Sequence, residues 1–319
     1  MRPQIISYSL FIAIFISNTA HSATGKVDEA AGKTAFKIDP LTALQSSILA
    51  TSETAMTATE LDLLQHARRG KMEHWSMARA ALVISGVTDE DEQKPYLAKI
   101  AEIAKESKEA TADAHTQLAK AKALGKYLIE NPLKAGYEAG SYKLPALLDT
   151  GHFNCVSSAI LYSIMASKCD LEVRAVTKSG HVFLRALDFD IEPTNGHVYS
   201  IGDRNDRLLA QEKGEKPTGA YATFPYRETG QLGLLSTLYQ DEGGVYRRDK
   251  NYEAAITWYL KAACFDPKDP STLQNLRTTL QNWSKDCKKN HQDAKAAKVD
   301  EFAKSMLRDP SVLNKWKSL

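Results

Sequence analysis

The sequence predicts an α+β chain, with helices on either side of a short antiparallel sheet. Three observations lead there. Apolar residues recur at three- and four-residue steps over 41–132 and again over 231–319, as a helix face requires. Between these stretches, 172–192 alternates apolar and polar residues in short runs broken by turns. The short runs follow one another with no helical stretch between them, an order that suits antiparallel strands and not βαβ units. The 319 residues suggest two domains. Apolar residues make up 43% and charged residues 25%, near the soluble average, so a core can form without metals or disulfides and the disordered, collagen-like and disulfide-knot classes are excluded. Lys+Arg of 41 against Asp+Glu of 39 leaves net +2, which gives no electrostatic case for a nucleic-acid partner.

From the N-terminus, Arg2 precedes an apolar run over 5–17, followed by the small residues around Ala20, Ser22 and Ala23. That order is the one of a secretory signal, expected to occupy 1–23 and to leave an exported, soluble protein; the membrane would be touched only through an uncleaved signal. A polar leader without a period spans 24–40. Residues 41–132 read as a helical region that packs on the core. Trp75, Ala78, Leu82 and Val83 share one face, Gly86 stops that stretch, and Asp89 caps a restart. Tyr96, Leu97, Ile100 and Ile103 form the next stripe, and an Ala-, Lys- and Glu-rich run of high helix propensity continues to Leu128, before Asn131-Pro132 ends it.

Residues 133–150 read as a loop, with Gly136, Gly140 and Pro145 as breakers. A buried helix follows from Cys155 through Ala166, capped by Asn154. Strands are predicted over 172–177, from His181 to Leu187 after a Ser-Gly turn, and from Asp190 onward. Polar, Gly- and Pro-rich residues from about 204 to 230 form a connector, so that 133–230 holds the core and its exit. In 231–319, Tyr239, Gly243, Tyr246, Ala255, Tyr259, Ala262 and Pro267 recur at the spacing of a tetratricopeptide repeat, a helix-turn-helix unit of about 34 residues. Gly243 and Ala255 allow close helix approach, the aromatics fill the gap, and Pro267 closes the unit. A second copy near Asp269 keeps a helix face at Leu273, Leu276 and Leu280 but lacks the small residues. Such a region would serve protein binding.

The residues that can carry chemistry are Cys155, His181 and a carboxylate near Glu192. A thiol at a helix start lies in the positive end of the helix dipole, and an imidazole at a strand start can face it as base and acid. A carboxylate in the next strand can hold the imidazole's tautomer. Glu192 fills that place; Asp190 has the same strand parity, and Asp188 and Asp203 are weaker candidates. For a developing oxyanion, the N–H of Cys155 is the first donor, and Asn154 or a side chain within 142–152, such as His152, is the second.

Taken together, FNCVSSAILYSIMA, GHVFLRAL and DIEPTNG resemble the Cys, His and Asp-Pro-Thr segments of the transglutaminase-like superfamily, relatives of the papain-type cysteine proteases, with Glu192 where that family has Asp. The resemblance covers about 150–200, and the preceding helices resemble those of bacterial members that carry tetratricopeptide repeats. It implies a papain-like core of a helix packed on a small antiparallel sheet. It further implies a triad of Cys155, His181 and Glu192, with acyl-transfer chemistry on amide bonds of a peptide or protein in the bacterial periplasm or outside the cell. No cofactor is implied. A metal site would need His152, Cys155, His181 and His197 to converge; there is no HExxH and no second close ligand pair, so none is expected. Of the cysteine pairings, Cys155–Cys169 is excluded if their helix is continuous, because the thiols would lie about 20 Å apart, and Cys264–Cys287 stays open. The competing function is a non-catalytic envelope adaptor whose helical repeat binds a partner.

Overall fold

The computed structural model describes residues 56–178, 180–201 and 226–308. All of them lie in one compact unit, Asp39–Leu319. The expected signal segment, the leader, most of the connector including Asp203, and the final residues lie outside the described residues.

Helices α1 (Ala58–Arg68), α2 (Met77–Ile84), α3 (Glu90–Ala110) and α4 (Gln117–Glu130) come first. Each begins at a side chain that accepts a first-turn backbone N–H: Thr57, Ser76, Asp89 and Thr116. The sequence led us to expect one continuous run to Leu128. The structure breaks it, because the Thr111 hydroxyl donates to the Ser107 carbonyl at 2.8 Å at the end of α3 and Thr116 caps a new helix. Local hydroxyl chemistry decides the boundary here over propensity.

The expected loop over 133–150 is also corrected. It contains strand β1 (Gly136–Tyr137) and helix α5 (Leu144–Thr150), and strand β2 (His152–Phe153) follows. Pro145, read from sequence as a breaker, sits in the first turn of α5, where its missing N–H is not needed. β1 and β2 pair in parallel, Tyr137 against Phe153.

Helix α6 (Cys155–Lys168) is the centre of the core. Ala159, Ile160, Leu161, Tyr162, Met165 and Ala166 are all buried, so the helix is apolar around most of its circumference. It packs against α3, α4 and strand β4, and the Tyr162 hydroxyl donates to the Ala121 carbonyl at 2.8 Å. The sheet comprises β3 (Arg174–Lys178), β4 (His181–Ala186), β5 (Phe189–Glu192), β6 (His197–Ser200) and β7 (Arg227–Thr229). Its order is β6-β5-β4-β3-β7, antiparallel throughout. β7 comes from what the sequence suggested was connector. Along β4, Val182, Leu184 and Ala186 enter the main core, while His181, Phe183 and Arg185 take the other parity. The β5–β6 turn lies hard against α4: a Cβ on Gly125 would stand 2.5 Å from the Gly196 carbonyl oxygen, and Gly196 has φ +70°.

After β7, α7 (Gln231–Arg248), α8 (Tyr252–Phe265), α9 (Pro270–Lys289) and α10 (Asp293–Arg308) pack in succession. A Cβ on Gly243 would lie 2.7 Å from the Tyr259 ring, so α7 and α8 touch where glycine leaves room. Tyr239, Tyr259 and Ala255 are fully buried in that seam. α1 packs on α8 through a buried ion pair, Lys261 Nζ to Glu60 Oε1 at 3.0 Å. Cys155, Cys169, Cys264 and Cys287 are all buried and none is in a disulfide, so the Cys264–Cys287 pairing left open by the sequence is not formed. The fold is therefore α+β, with a small antiparallel sheet among packed helices.

Candidate active site

The site starts from a helix cap. The Asn154 carboxamide oxygen accepts the N–H groups of Val156 and Ser157 at 2.8 and 3.1 Å. The Ser157 hydroxyl accepts the Asn154 N–H at 3.0 Å and donates to the Ser141 carbonyl at 2.6 Å. This reciprocal box fixes the start of α6 and the backbone that presents Cys155. The cap occupies the N–H groups of the second and third helical residues and leaves the N–H of Cys155, at the helix mouth, as the donor it does not use. Asn154 thus serves the site through the helix start, its side chain turned into the cap.

His181 opens β4 at the sheet end nearest that helix start. Its Nε2 lies 2.9 Å from Glu192 Oε2, and the Cys155 side chain is near enough to raise the imidazole's pKa. Glu192 closes β5 one step beyond the Leu184↔Ile191 pair, hence diagonal to His181 across the strands. Its second oxygen, Oε1, accepts the Thr194 hydroxyl at 2.8 Å, so the carboxylate is held from both sides. Burial is the largest single influence on the imidazole and lowers its pKa. The hydrogen bonds to Cys155 and Glu192 and the charges of both outweigh burial together and push it up to about 9.

These three groups sit at one end of a cleft of about 510 Å³. Cys155 and His181 line it, while Glu192 stands behind the imidazole. The opposite wall is α7, which presents Thr237, Gln240, Asp241, Gly244, Arg247 and Arg248 at helical spacing. Asp241 Oδ2 accepts from the Asn154 carboxamide nitrogen at 3.4 Å. Burial raises its carboxyl to about 6 against the opposing Asn154 hydrogen bond and the Arg248 charge. Tyr137 stands at the mouth, 60% exposed, its ring edge-on to Phe153. A second cavity of about 480 Å³ opens beside Ser163, Ser167 and Leu187, and neither histidine nor cysteine lines it.

The remaining sequence candidates lie elsewhere. Asp190 does share the face of Glu192, but Arg185, directly opposite in β4, takes both of its oxygens at 2.7 and 3.1 Å, so it is not the orienting acid. His152 does not line the cleft, and its Nδ1 is buried without a hydrogen-bond partner among the described residues. No residue of 142–152 lines the cleft. His197 is exposed on β6 beside Tyr199. Among the described residues no three His, Cys, Asp or Glu side chains are grouped to hold a metal ion. Asp241, Tyr137 and the α7 wall escaped the sequence reading. No family model, curated protein or solved structure matches the chain.

Proposed function

We propose that the chain is an exported transglutaminase-like cysteine hydrolase or acyltransferase acting on amide bonds of a peptide or protein. The observation that carries this reading is His181, hydrogen-bonded to Glu192 Oε2 at 2.9 Å and lining one cleft with Cys155, which opens a helix. The packing of α6 on β4 supports a papain-like core, and the α7–α8 seam at Gly243 and Tyr259 supports a tetratricopeptide-like pair. The signal-like segment at 1–23 supports export.

In this mechanism the Cys155 sulfur, its proton held by His181, attacks the substrate carbonyl carbon. The carbonyl oxygen becomes an oxyanion facing the N–H of Cys155. His181 passes its proton to the departing amine as the C–N bond breaks, which leaves a thioester. Water or a second amine then attacks the thioester while His181 takes the proton, and the sulfur leaves. Glu192 keeps Nε2 engaged throughout and offsets the imidazolium charge.

The test is alkylation by iodoacetamide across pH 5–9, read by mass at each cysteine. Cys155 is expected to react at pH 6 faster than the other three thiols, and His181→Ala is expected to lower that rate at least tenfold. A Cys155 with the pH profile of an ordinary thiol, or one inert until unfolding, overturns the enzyme reading. The burial of Cys155, 9% exposed, is what favours the non-catalytic adaptor, for which that second outcome is the expectation.

A further inference from the structure

Four cations besides His181 line the cleft: Lys178, whose ammonium lies 5.1 Å from the centre of the Tyr226 ring, Arg227, Arg247 and Arg248. Arg227 and the two aspartates beside it are matched inside the fold. Arg227 forms a two-pronged pair with Asp266 at 2.6 and 2.7 Å, and Asp269 caps α9 while accepting Gln240 Nε2 at 3.0 Å. Arg247 and Arg248 differ. Among the described residues neither has a carboxylate within ion-pair distance. Arg247 is half-buried and donates from Nη1 to the neutral Asn275 Oδ1 at 3.0 Å, which fixes its guanidinium on the cleft wall. Arg248, exposed, shares that wall one residue on, and its charge acts on Asp241. A fixed planar guanidinium in a cleft is built for a carboxylate, which it binds with charge-assisted hydrogen bonds.

We infer that the substrate is an acidic, extended peptide whose carboxylate docks on Arg247 and Arg248 while its reacting amide lies at Cys155. This deepens the proposed function and rests on it for the identity of the reacting amide. The spacing follows from the helix. Asp241 touches Asn154, the neighbour of Cys155, and Arg248 lies seven residues further along α7, about 10 Å. An extended chain covers that span in about three residues. The wall between is polar and partly bare, with Gln240 and Gly244 facing the cleft, which suits a peptide backbone better than an apolar helix.

The test uses iodoacetyl-(Ala)n-Glu amides, n from 1 to 5, beside the same series ending in Gln amide. In each, the Cys155 sulfur forms a thioether and iodide leaves. The Glu probes are expected to label Cys155 about tenfold faster than the Gln probes at n of 2 or 3, and less so at n of 1 or 5. Arg247→Gln is expected to erase that difference. Equal rates for Glu and Gln at every length, or a difference that survives Arg247→Gln, overturn the inference and leave the two arginines as helix-end charges only. A second measurement stands apart from thiol reactivity: fluorescence anisotropy of fluorescein-(Ala)3-Glu amide and its Gln counterpart on Cys155→Ala protein. Preference for Glu, lost in Arg247→Gln, supports the anchor even where Cys155 proves unreactive and the enzyme reading falls. No preference removes the anchor whatever Cys155 does.

Discussion

Glu192 reaches His181 at 2.9 Å at the cleft, and Glu60 reaches Lys261 at 3.0 Å where α1 packs on α8. The distances are alike and the surroundings are not. The Lys261 side chain is 1% exposed, its ammonium lies 4.3 Å from the centre of the Trp258 ring, and Glu60 Oε1 also accepts the Tyr239 hydroxyl at 3.0 Å. Every partner in that cluster is fixed and sealed, so its charges serve packing. The His181 side chain is 36% exposed and faces a thiol in a cleft, so its proton has somewhere to go. Contact distance therefore does not mark a chemical site; a titratable partner open to a cavity does.

The comparison breaks if the two carboxylates respond alike. Glu60→Ala leaves a buried ammonium without its counter-charge and is expected to lower unfolding stability by about 3–5 kcal/mol, measured by urea titration. The surviving folded protein is expected to keep its Cys155 alkylation profile. Glu192→Gln is expected to do the reverse. Its partner is more than a third exposed, so stability moves little. The imidazole, however, loses an adjacent charge that raises it, so the midpoint of the His181 resonance, held above the ordinary 6.5 in the parent protein, is expected to move to lower pH in an NMR titration. Because the folded value is raised above 6.5, the stability tied to this proton is present below that pH and is lost as pH rises through 9. A Glu192→Gln variant should show less of that alkaline loss. Equal thermal midpoints for Glu60→Ala and the parent, or an unmoved His181 titration in Glu192→Gln, sinks the distinction.

A smaller effect sharpens the same contrast from the packing side. Gly243→Ala puts a methyl 2.7 Å from the Tyr259 ring and is expected to cost about 1–3 kcal/mol by overpacking. Tyr259→Leu in the same chain should recover part of that loss in urea titration, since it removes the ring the methyl strikes. A Gly243→Ala variant as stable as the parent would mean that the seam yields more readily than its geometry implies.

The sealed seam and the open cleft were unequally legible in the sequence. Gly243, Ala255 and Tyr259 announce close helix packing because residue size and helical period are both local facts. Cys155, His181 and Glu192 could be placed at a helix start, a strand start and the next strand for the same reason. Asp190 shows where locality ends: parity puts it on the right face, but only the register reveals that Arg185 stands opposite and takes its carboxylate. Asp241 was beyond reach, since it meets Asn154 across 87 residues of chain by the packing of α7 against α6. Helix α5 was hidden by Pro145, whose two roles, breaker and first-turn residue, look identical until the chain direction is known.

Asp241 gives the smallest expected effect, and it tests whether the cleft wall behaves as an open site or as another sealed contact. Its carboxyl is raised from 3.8 to about 6, chiefly by burial, with Asn154 and Arg248 pulling the other way and Glu242 adding to the rise. A raised acid favours the fold while protonated, so this contribution is present below pH 3.8 and is lost as pH rises through 6. Asp241→Asn keeps an oxygen for the Asn154 amide and removes the charge. The thermal midpoint of the variant, minus that of the parent, is therefore expected to climb by a few degrees between pH 4 and 6.5 and then stay level. A flat difference curve would mean that water reaches the ionised carboxylate freely. The wall at Asp241 would then be as wet as the protein surface, and the guanidinium beside it would bind a peptide carboxylate with the weak, salt-screened attraction of an exposed pair.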